Sequence, residues 1–296
     1  RQRQMCIRDR YVSDLAVWFG RNFKAQLAAV MLFRLIKKTS CKVTKSWYKV
    51  IEVLTNLFEN CLIEPNIFLE FQKKIQLGPL PKVPPIYVIK RAKALNNSGL
   101  LSTFSSFLKG YSDEPPEPTD IEVESTISTM DCLKSLNVPN IFSIISKSEP
   151  TNLLRFIHLL LAALPDYSEE RKRVYESETL FILETCVCFC LLLNDEHLLQ
   201  DVLRELSNRN LSGHGELRLI AYKLLLLRYC KDESELIATV KQAALVDRDI
   251  ASKHGTQIVQ PLMSLTDEDS WCCKILLRDE SYWNTMRYYV SLQAYA

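Results

Sequence analysis

Acid–base or nucleophilic chemistry would most readily use histidine, and this chain has four. His158 lies in the apolar run from Leu153 to Leu164, and His197 sits in the first turn of a helix beside Asp195 and Glu196. His214 stands between two glycines in a turn, and His254 precedes Gly255 near a helix break. None has a serine or cysteine nucleophile at a recognisable spacing. Ten cysteines raise metal or disulfide chemistry, yet no Cys-x-x-Cys pair occurs and no histidine stands at ligand spacing from a cysteine pair. Runs such as Cys186-Val-Cys188-Phe-Cys190 read as reduced thiols on buried helices. Adjacent Cys272 and Cys273 cannot both face one core. Phosphate loops and dinucleotide fingerprints are absent from the sequence. No catalytic, cofactor-binding or metal-ligating residue is therefore assigned.

Binding chemistry has a better candidate. Arg34, Lys37, Lys38, Lys42, Lys45 and Lys49 surround the aromatic pair Trp47-Tyr48 in the first helical hairpin turn. Lysines beside interfacial rings suit an anionic membrane surface, by Coulomb attraction and shallow burial of the rings, and the same residues are a candidate partner patch. The competing expectation is a solvated turn whose aromatics point into the core. Arg171-Lys-Arg173 is a second basic cluster, offset by Glu169, Glu170 and Glu176.

Composition restricts the remaining classes. Hydrophobic residues make up 47% and charged residues 24% of the 296, the balance of a soluble globular protein. Seven glycines disfavour turn-dense all-β folds. Residues 1–10 read as an adapter-derived artefact and are set aside. They hold four of the 37 Lys+Arg and one of the 35 Asp+Glu, leaving 33 basic against 34 acidic and a net charge of −1. That removes the compositional case for a nucleic-acid partner. The chain is expected to be an internal piece of something longer. No apolar run reaches the roughly 18 residues a membrane span requires.

The elements that must carry these groups are helices. Asn22 is placed to cap a helix whose stripe is Phe23, Leu27, Val30 and Met31, widened by Ala28, Leu32, Leu35 and Ile36. Such a helix is expected to bury that stripe against a neighbour. Residues 46–62 form its hairpin partner through Trp47, Val50, Ile51, Leu54, Leu57, Phe58 and Leu62. Pro65 ends that helix, and Asn66 to Lys74 could add a short one. Residues 76–120 read as a connecting region, from the proline-rich Gly78 to Pro85 through a brief extended Ile86 to Ile89 and a short helix at Leu100 to Leu108. Thr119-Asp-Ile-Glu122 has capping-box spacing. Helices are then expected at about 120–136, 139–147, 150–164, 169–193, 195–207, 215–230, 233–246, 248–263, 267–277 and 279–294, with breaks at Pro139, Pro150, Pro165, Gly213 to Gly215 and Pro261. The fold expected is all-α, a HEAT- or armadillo-like α-solenoid fragment, the fallback being a compact all-α domain. Its parts are a first helical hairpin region over 11–75, the connecting segment 76–120 and a helical-repeat array over 121–296.

Two blocks carry a family resemblance. Asp14-Leu-Ala-Val-Trp-Phe-Gly with Asn22-Phe-Lys-Ala-Gln-Leu-Ala-Ala-Val30 resembles the helical region just downstream of the exchange domain in large Arf guanine-nucleotide exchange factors, of the Golgi brefeldin-A-resistance type. Leu101-Ser-Thr-Phe-Ser-Ser-Phe-Leu108, the acidic Asp113 to Pro118, and Ile121 to Leu133 are similar to the segment closing that homology region. Leu153 to Leu164 and Glu178 to Leu193 resemble the next region more loosely, and past about Leu211 the likeness is thin. The long proline-rich 76–120 stretch departs from the family pattern. The resemblance implies a non-catalytic regulatory and membrane-targeting scaffold, cytoplasmic and peripheral on Golgi membranes, in vesicle-mediated transport. The implied partners are an Arf-family or other small GTPase, the parent's own exchange domain and the Golgi membrane surface. No position matches the family's catalytic glutamate motif, and no cofactor is implied. The alternative is a HEAT-like adaptor unrelated to Arf activation.

Overall fold

The computed structural model describes residues 11–63, 87–88, 119–167, 172–268 and 270–293. They are helical apart from one two-residue pairing, as an α-solenoid fragment requires. The connecting-region expectations, save Tyr87 and Val88, lie outside the described residues, as do Asn66 to Lys74 and Arg171. Two compact units result. One comprises residues up to 35, 60–62 and 83–138, the other residues 36–59, 63–82 and 139–296.

In the first unit, β1 (Tyr11–Val12) pairs antiparallel with β2 (Tyr87–Val88), Tyr11 opposite Val88. Helix α1 (Asp14–Arg21) starts where the Ser13 hydroxyl accepts from the Ala16 amide at 3.2 Å. Asn22 then caps α2 (Phe23–Lys38) by accepting from the Ala25 amide at 3.0 Å, as its position predicted. Helix α4 (Asp120–Leu136) opens on the expected capping box. The Thr119 hydroxyl accepts from the Glu122 amide, and the Glu122 carboxylate accepts from the Thr119 amide at 2.7 Å. These bonds hold the Glu122 carboxyl below the usual range.

Helices α1 and α4 cross on small residues, Ala16 and Gly20 against Ser125 and Thr129. The Thr129 hydroxyl donates to the Ala16 carbonyl at 2.5 Å, and Arg21 Nε donates to Ser125 Oγ at 3.2 Å. Gln26 reaches back from α2 and donates to the Phe19 and Gly20 carbonyls at 3.1 and 3.0 Å. Those carbonyls end α1, and that of Phe19 also accepts from the Asn22 amide at 3.1 Å. One amide therefore closes one helix from within the next.

The second unit contains α3 (Trp47–Glu59), α5 (Pro139–Ser146), α6 (Pro150–Ala162), α7 (Lys172–Leu193), α8 (Glu196–Ser207), α9 (His214–Leu227), α10 (Glu233–Ala243), α11 (Arg248–His254), α12 (Thr256–Leu265), α13 (Cys273–Leu276) and α14 (Glu280–Gln293). Two helices form its axis. Helix α7 touches α3, α6, α8 and α9, while α9 touches α7, α8, α10, α11 and α12. Both are buried on nearly every side, Leu180–Leu183 and Cys186–Cys190 in α7 and Leu217–Leu224 in α9. A helix apolar all round is one enclosed by others. Phe58 stacks on Phe181 at 4.6 Å, and Phe156 meets both Trp47 and Phe189 edge-on at 5.8 and 5.3 Å.

Three expectations need correction. Most of the α2 stripe is not buried: Phe23, Leu27, Met31 and Leu35 are exposed, Val30 and Leu32 are half-buried, and of the expected stripe only Ile36 is enclosed, together with Phe33. Residues 248–263 form two helices, because the chain turns at Gly255 and not at Pro261. A β-carbon at 255 would lie 2.4 Å from the Ala251 carbonyl oxygen and 2.8 Å from Tyr289 Cδ1, so only glycine admits that approach of α14. Pro261 sits inside α12 with its ring buried, at the loss of one hydrogen bond. Among the described residues of 267–277 only Cys273–Leu276 is helical. There the Trp271 indole donates to the Leu227 carbonyl at 3.0 Å, closing the end of α9. Cys272 is buried and Cys273 half-buried, one inward and one outward as their adjacency demanded.

Candidate interaction surface

The basic turn joins α2 to α3 and is pinned from below. Ser40 and Cys41 take left-handed φ values of 51° and 54°, which reverses the chain. Asn152 on α6 accepts from the Val43 amide at 2.7 Å and donates to the Cys41 carbonyl at 3.2 Å. Arg155 Nη1 donates to the Val43 carbonyl at 3.1 Å. The Trp47 indole donates to the Lys42 carbonyl at 3.0 Å. Four backbone groups of a tight turn are thus paired with side chains. The turn is rigid where a loop of its composition need not be.

That pinning divides the aromatic pair. Trp47 is 5% exposed, in the core against Phe156, whereas Tyr48 is 54% exposed. Lys49 Nζ lies 5.1 Å from the Tyr48 ring centre and 3.0 Å from the Glu52 carboxylate. Arg34, Lys38, Lys42, Lys45 and Lys49 are exposed and Lys37 is half-buried. Seven of the eight candidate residues thus reach solvent; Trp47 acts as the anchor beneath them. A further signal was present in the sequence: no Asp or Glu occurs between Leu15 and Ile51, a stretch with eight Lys or Arg. The stretch therefore carries an excess of positive charge even with Lys49 paired to Glu52 just beyond it, the attribute a negative surface responds to.

The histidines are not brought into a catalytic arrangement. His158 and His197 are exposed on α6 and α8. His214 and His254, 40 residues apart, stack with ring centres 4.2 Å apart. His214 Nε2 lies 3.3 Å from Gln257 Oε1. Burial, then His254 and Arg218, lower the His214 pKa to about 4. Burial, Lys253 and Arg218 lower that of His254. Both rings are therefore neutral near pH 7, stacked face to face with one edge of His214 hydrogen-bonded to Gln257. Among the described residues, no group of three or more His, Cys, Asp or Glu is placed to hold a metal ion. Burial raises the thiol pKa of Cys41 and Cys230 to about 11 and pushes Cys186 and Cys188 higher still, which leaves them unreactive.

Deepest in the second unit lies a polar cluster that sequence patterning alone did not single out. Arg218 donates from Nη2 to the Glu184 carboxylate at 2.7 Å and from Nε to the Tyr222 hydroxyl at 3.1 Å, and Tyr222 donates to Glu184. All three are enclosed. Burial opposes the Arg218 charge, but Tyr222 and Glu184 outweigh it and raise its pKa above the ordinary value. The spacing of 218 and 222 on α9 puts both on the face toward α7. The cluster links the two axial helices at one buried point.

No protein-family model matches the chain. Among known proteins it is similar to ARF guanine-nucleotide exchange factor 2 of Saccharomyces cerevisiae, 32% identical over 291 residues, which is 93% of this chain and 19% of that protein. ARF guanine-nucleotide exchange factor 1 of the same yeast is 28% identical over 300 residues, 95% of this chain and 20% of that protein. An uncharacterized protein of Schizosaccharomyces pombe is 37% identical over 154 residues, 51% of this chain and 10% of that protein. The likeness to the two exchange factors covers more than nine-tenths of the chain, well beyond the quoted blocks, and the chain spans about a fifth of their length. With a helical architecture and a similarity that extends over nearly all of its residues, this chain belongs to the family of large Arf guanine-nucleotide exchange factors of the Golgi brefeldin-A-resistance type, matching one region of those proteins.

Proposed function

We propose that this chain is a non-catalytic regulatory and membrane-targeting scaffold of an Arf guanine-nucleotide exchange factor, acting peripherally on Golgi membranes in vesicle-mediated transport. Nucleotide exchange belongs in this reading to a separate domain of the parent polypeptide. The partners are that exchange domain, an Arf-family or other small GTPase, and the anionic cytoplasmic face of the membrane. The observation that carries the reading is the rigid turn presenting Lys38, Lys42, Lys45, Tyr48 and Lys49 outward, within a segment free of acidic residues. Each lysine held near an anionic surface contributes about 1 kcal/mol of attraction, and an exposed tyrosine settles at the headgroup level.

The test is co-sedimentation with phosphatidylcholine vesicles, with and without phosphatidylserine. The chain should sediment with the anionic vesicles and release with salt. Reversing Lys37, Lys38 and Lys42 to Glu should weaken partitioning by about a hundredfold at low salt. Unchanged sedimentation would remove the membrane part of the proposal. Binding of a GTP-loaded Arf-family protein tests the regulatory part separately, because a generic helical adaptor has no reason to bind it.

A further inference from the structure

Phe23, Leu27, Met31 and Leu35 stand four residues apart on α2, and all are exposed, from 48% at Leu27 to 73% at Phe23. Four-residue spacing places them in one row along one side of the helix, about 18 Å long. The opposite side of α2 faces its own unit, through the Gln26 bonds to Phe19, Gly20 and Ser128. A row of large apolar side chains turned to solvent is not needed for the fold of this unit. Surfaces of that kind mark binding sites.

We propose that this row is the docking face for an amphipathic helix of a protein partner, one whose apolar stripe is flanked by Asp and Glu. The inference goes beyond the membrane reading, which concerns the turn after α2. Shape favours a helix over a bilayer. Beside the row run Lys24, exposed Ala28 and half-buried Leu32, so a small side chain lies next to the ridge of large ones. Ridge next to groove is how one helix receives another, whereas a bilayer favours a broad apolar face. The row is bordered by charge, Lys24 on one side and Arg34 on the other, both exposed. At its N-terminal end it opens into a depression of about 590 Å³ between α1 and α2, walled by Trp18, Phe23, Arg21 and Lys24, with Asp14 at the rim. An aromatic or aliphatic anchor at the partner's end would fit between Trp18 and Phe23.

Charge selects the kind of helix. Arg21, Lys24 and Arg34 border the row, and no acid lies on α2. An acid-flanked helix is complementary to that border, while a second copy of α2 laid against it would oppose cation to cation. Four anchors over three turns match the spacing of helix-in-groove recognition.

The experiment uses the full chain and a fluorescein-labelled amphipathic peptide of about five helical turns, with leucines at three-to-four spacing and glutamates on its flanks. A control peptide carries lysines in place of the glutamates. The Glu peptide should bind and the Lys peptide should not. Leu27→Asp and Met31→Asp should each weaken binding by about tenfold or more while circular dichroism and Tm stay unchanged, because both positions are exposed. Lys24→Glu with Arg34→Glu should reverse the preference between the two peptides. Equal binding of both peptides, binding retained by Met31→Asp, or no binding of either would overturn the proposal. So would Met31→Asp abolishing phosphatidylserine-vesicle binding, which assigns the row to a membrane, or abolishing self-association in sedimentation velocity, which assigns it to a second copy. The Lys37, Lys38 and Lys42 reversals leave the row intact, so a failure of the membrane reading is told apart from a failure here.

Discussion

Gly20 and Ser125 lie so close that a β-carbon on residue 20 would sit 1.8 Å from the Ser125 carbonyl oxygen and 2.9 Å from Thr129 Oγ1. Backbone touches backbone at this crossing of α1 and α4, although the two residues are 105 positions apart. The two segments that best resemble the exchange-factor family, Asp14 to Val30 and Ile121 to Leu133, are thereby joined at one point. The join uses small side chains and hydrogen bonds to backbone carbonyls, and it cannot tolerate added volume.

Gly20→Ala should therefore destabilise the first unit by about 1–3 kcal/mol, since the obstacle is backbone and cannot turn aside. Urea unfolding should show a lower midpoint, and limited proteolysis should cut first near residues 13–22. Ala16→Leu should act in the same way. Substitution at the exposed Met31 should leave the midpoint in place.

The Glu184–Arg218–Tyr222 cluster yields a second expectation. Removing one charge, as in Arg218→Met or Glu184→Leu, leaves its partner buried without a counter-ion and should cost about 3–5 kcal/mol. Replacing the charged pair together, with Tyr222→Phe, should recover most of that loss, because the desolvation penalty disappears with the charges. Denaturant titrations of the single and triple variants provide the comparison.

The stacked histidines make stability depend on pH. His214 has a folded pKa of about 4, below its ordinary value of about 6.5. The unfolded chain therefore takes up a proton as pH falls below about 6.5 while the folded chain resists until about 4. Stability is complete above that window and declines through it, by roughly 2 kcal/mol after discounting for solvent screening. His254, also lowered, acts with the same sign. A plot of unfolding free energy against pH should show this slope, and His214→Phe should flatten it.

Asn152 should matter to the basic turn more than to the helix it stands on. Asn152→Ala removes the acceptor for the Val43 amide and the donor to the Cys41 carbonyl, leaving two backbone groups to find water. The cost expected is about 1–3 kcal/mol, mostly local. Hydrogen exchange at Val43 should accelerate strongly while exchange in α7 and α9 changes little.

What the sequence determined by itself was local. Caps at Asn22 and Thr119, most helix positions from Pro139 onward, and the buried cysteine runs are set by groups within a turn or two of one another, so reading neighbours suffices. The family resemblance was legible for the same reason, in short continuous blocks. Tertiary structure decided which faces are covered. Periodicity shows that Phe23, Leu27, Met31 and Leu35 share a side of α2, but burial depends on whether another element lies opposite, and none of the described residues does. Trp47 and Tyr48 are adjacent and chemically alike, yet Phe156 is placed to receive one ring and solvent receives the other. Gly255 rather than Pro261 breaks the chain because Tyr289, 34 residues later, fills the space a β-carbon would take. Hydrogen bonds within a turn are written in adjacent letters. Steric exclusion and charge pairing across helices act between residues 30 to 110 positions apart, and only the assembled chain brings those residues into contact.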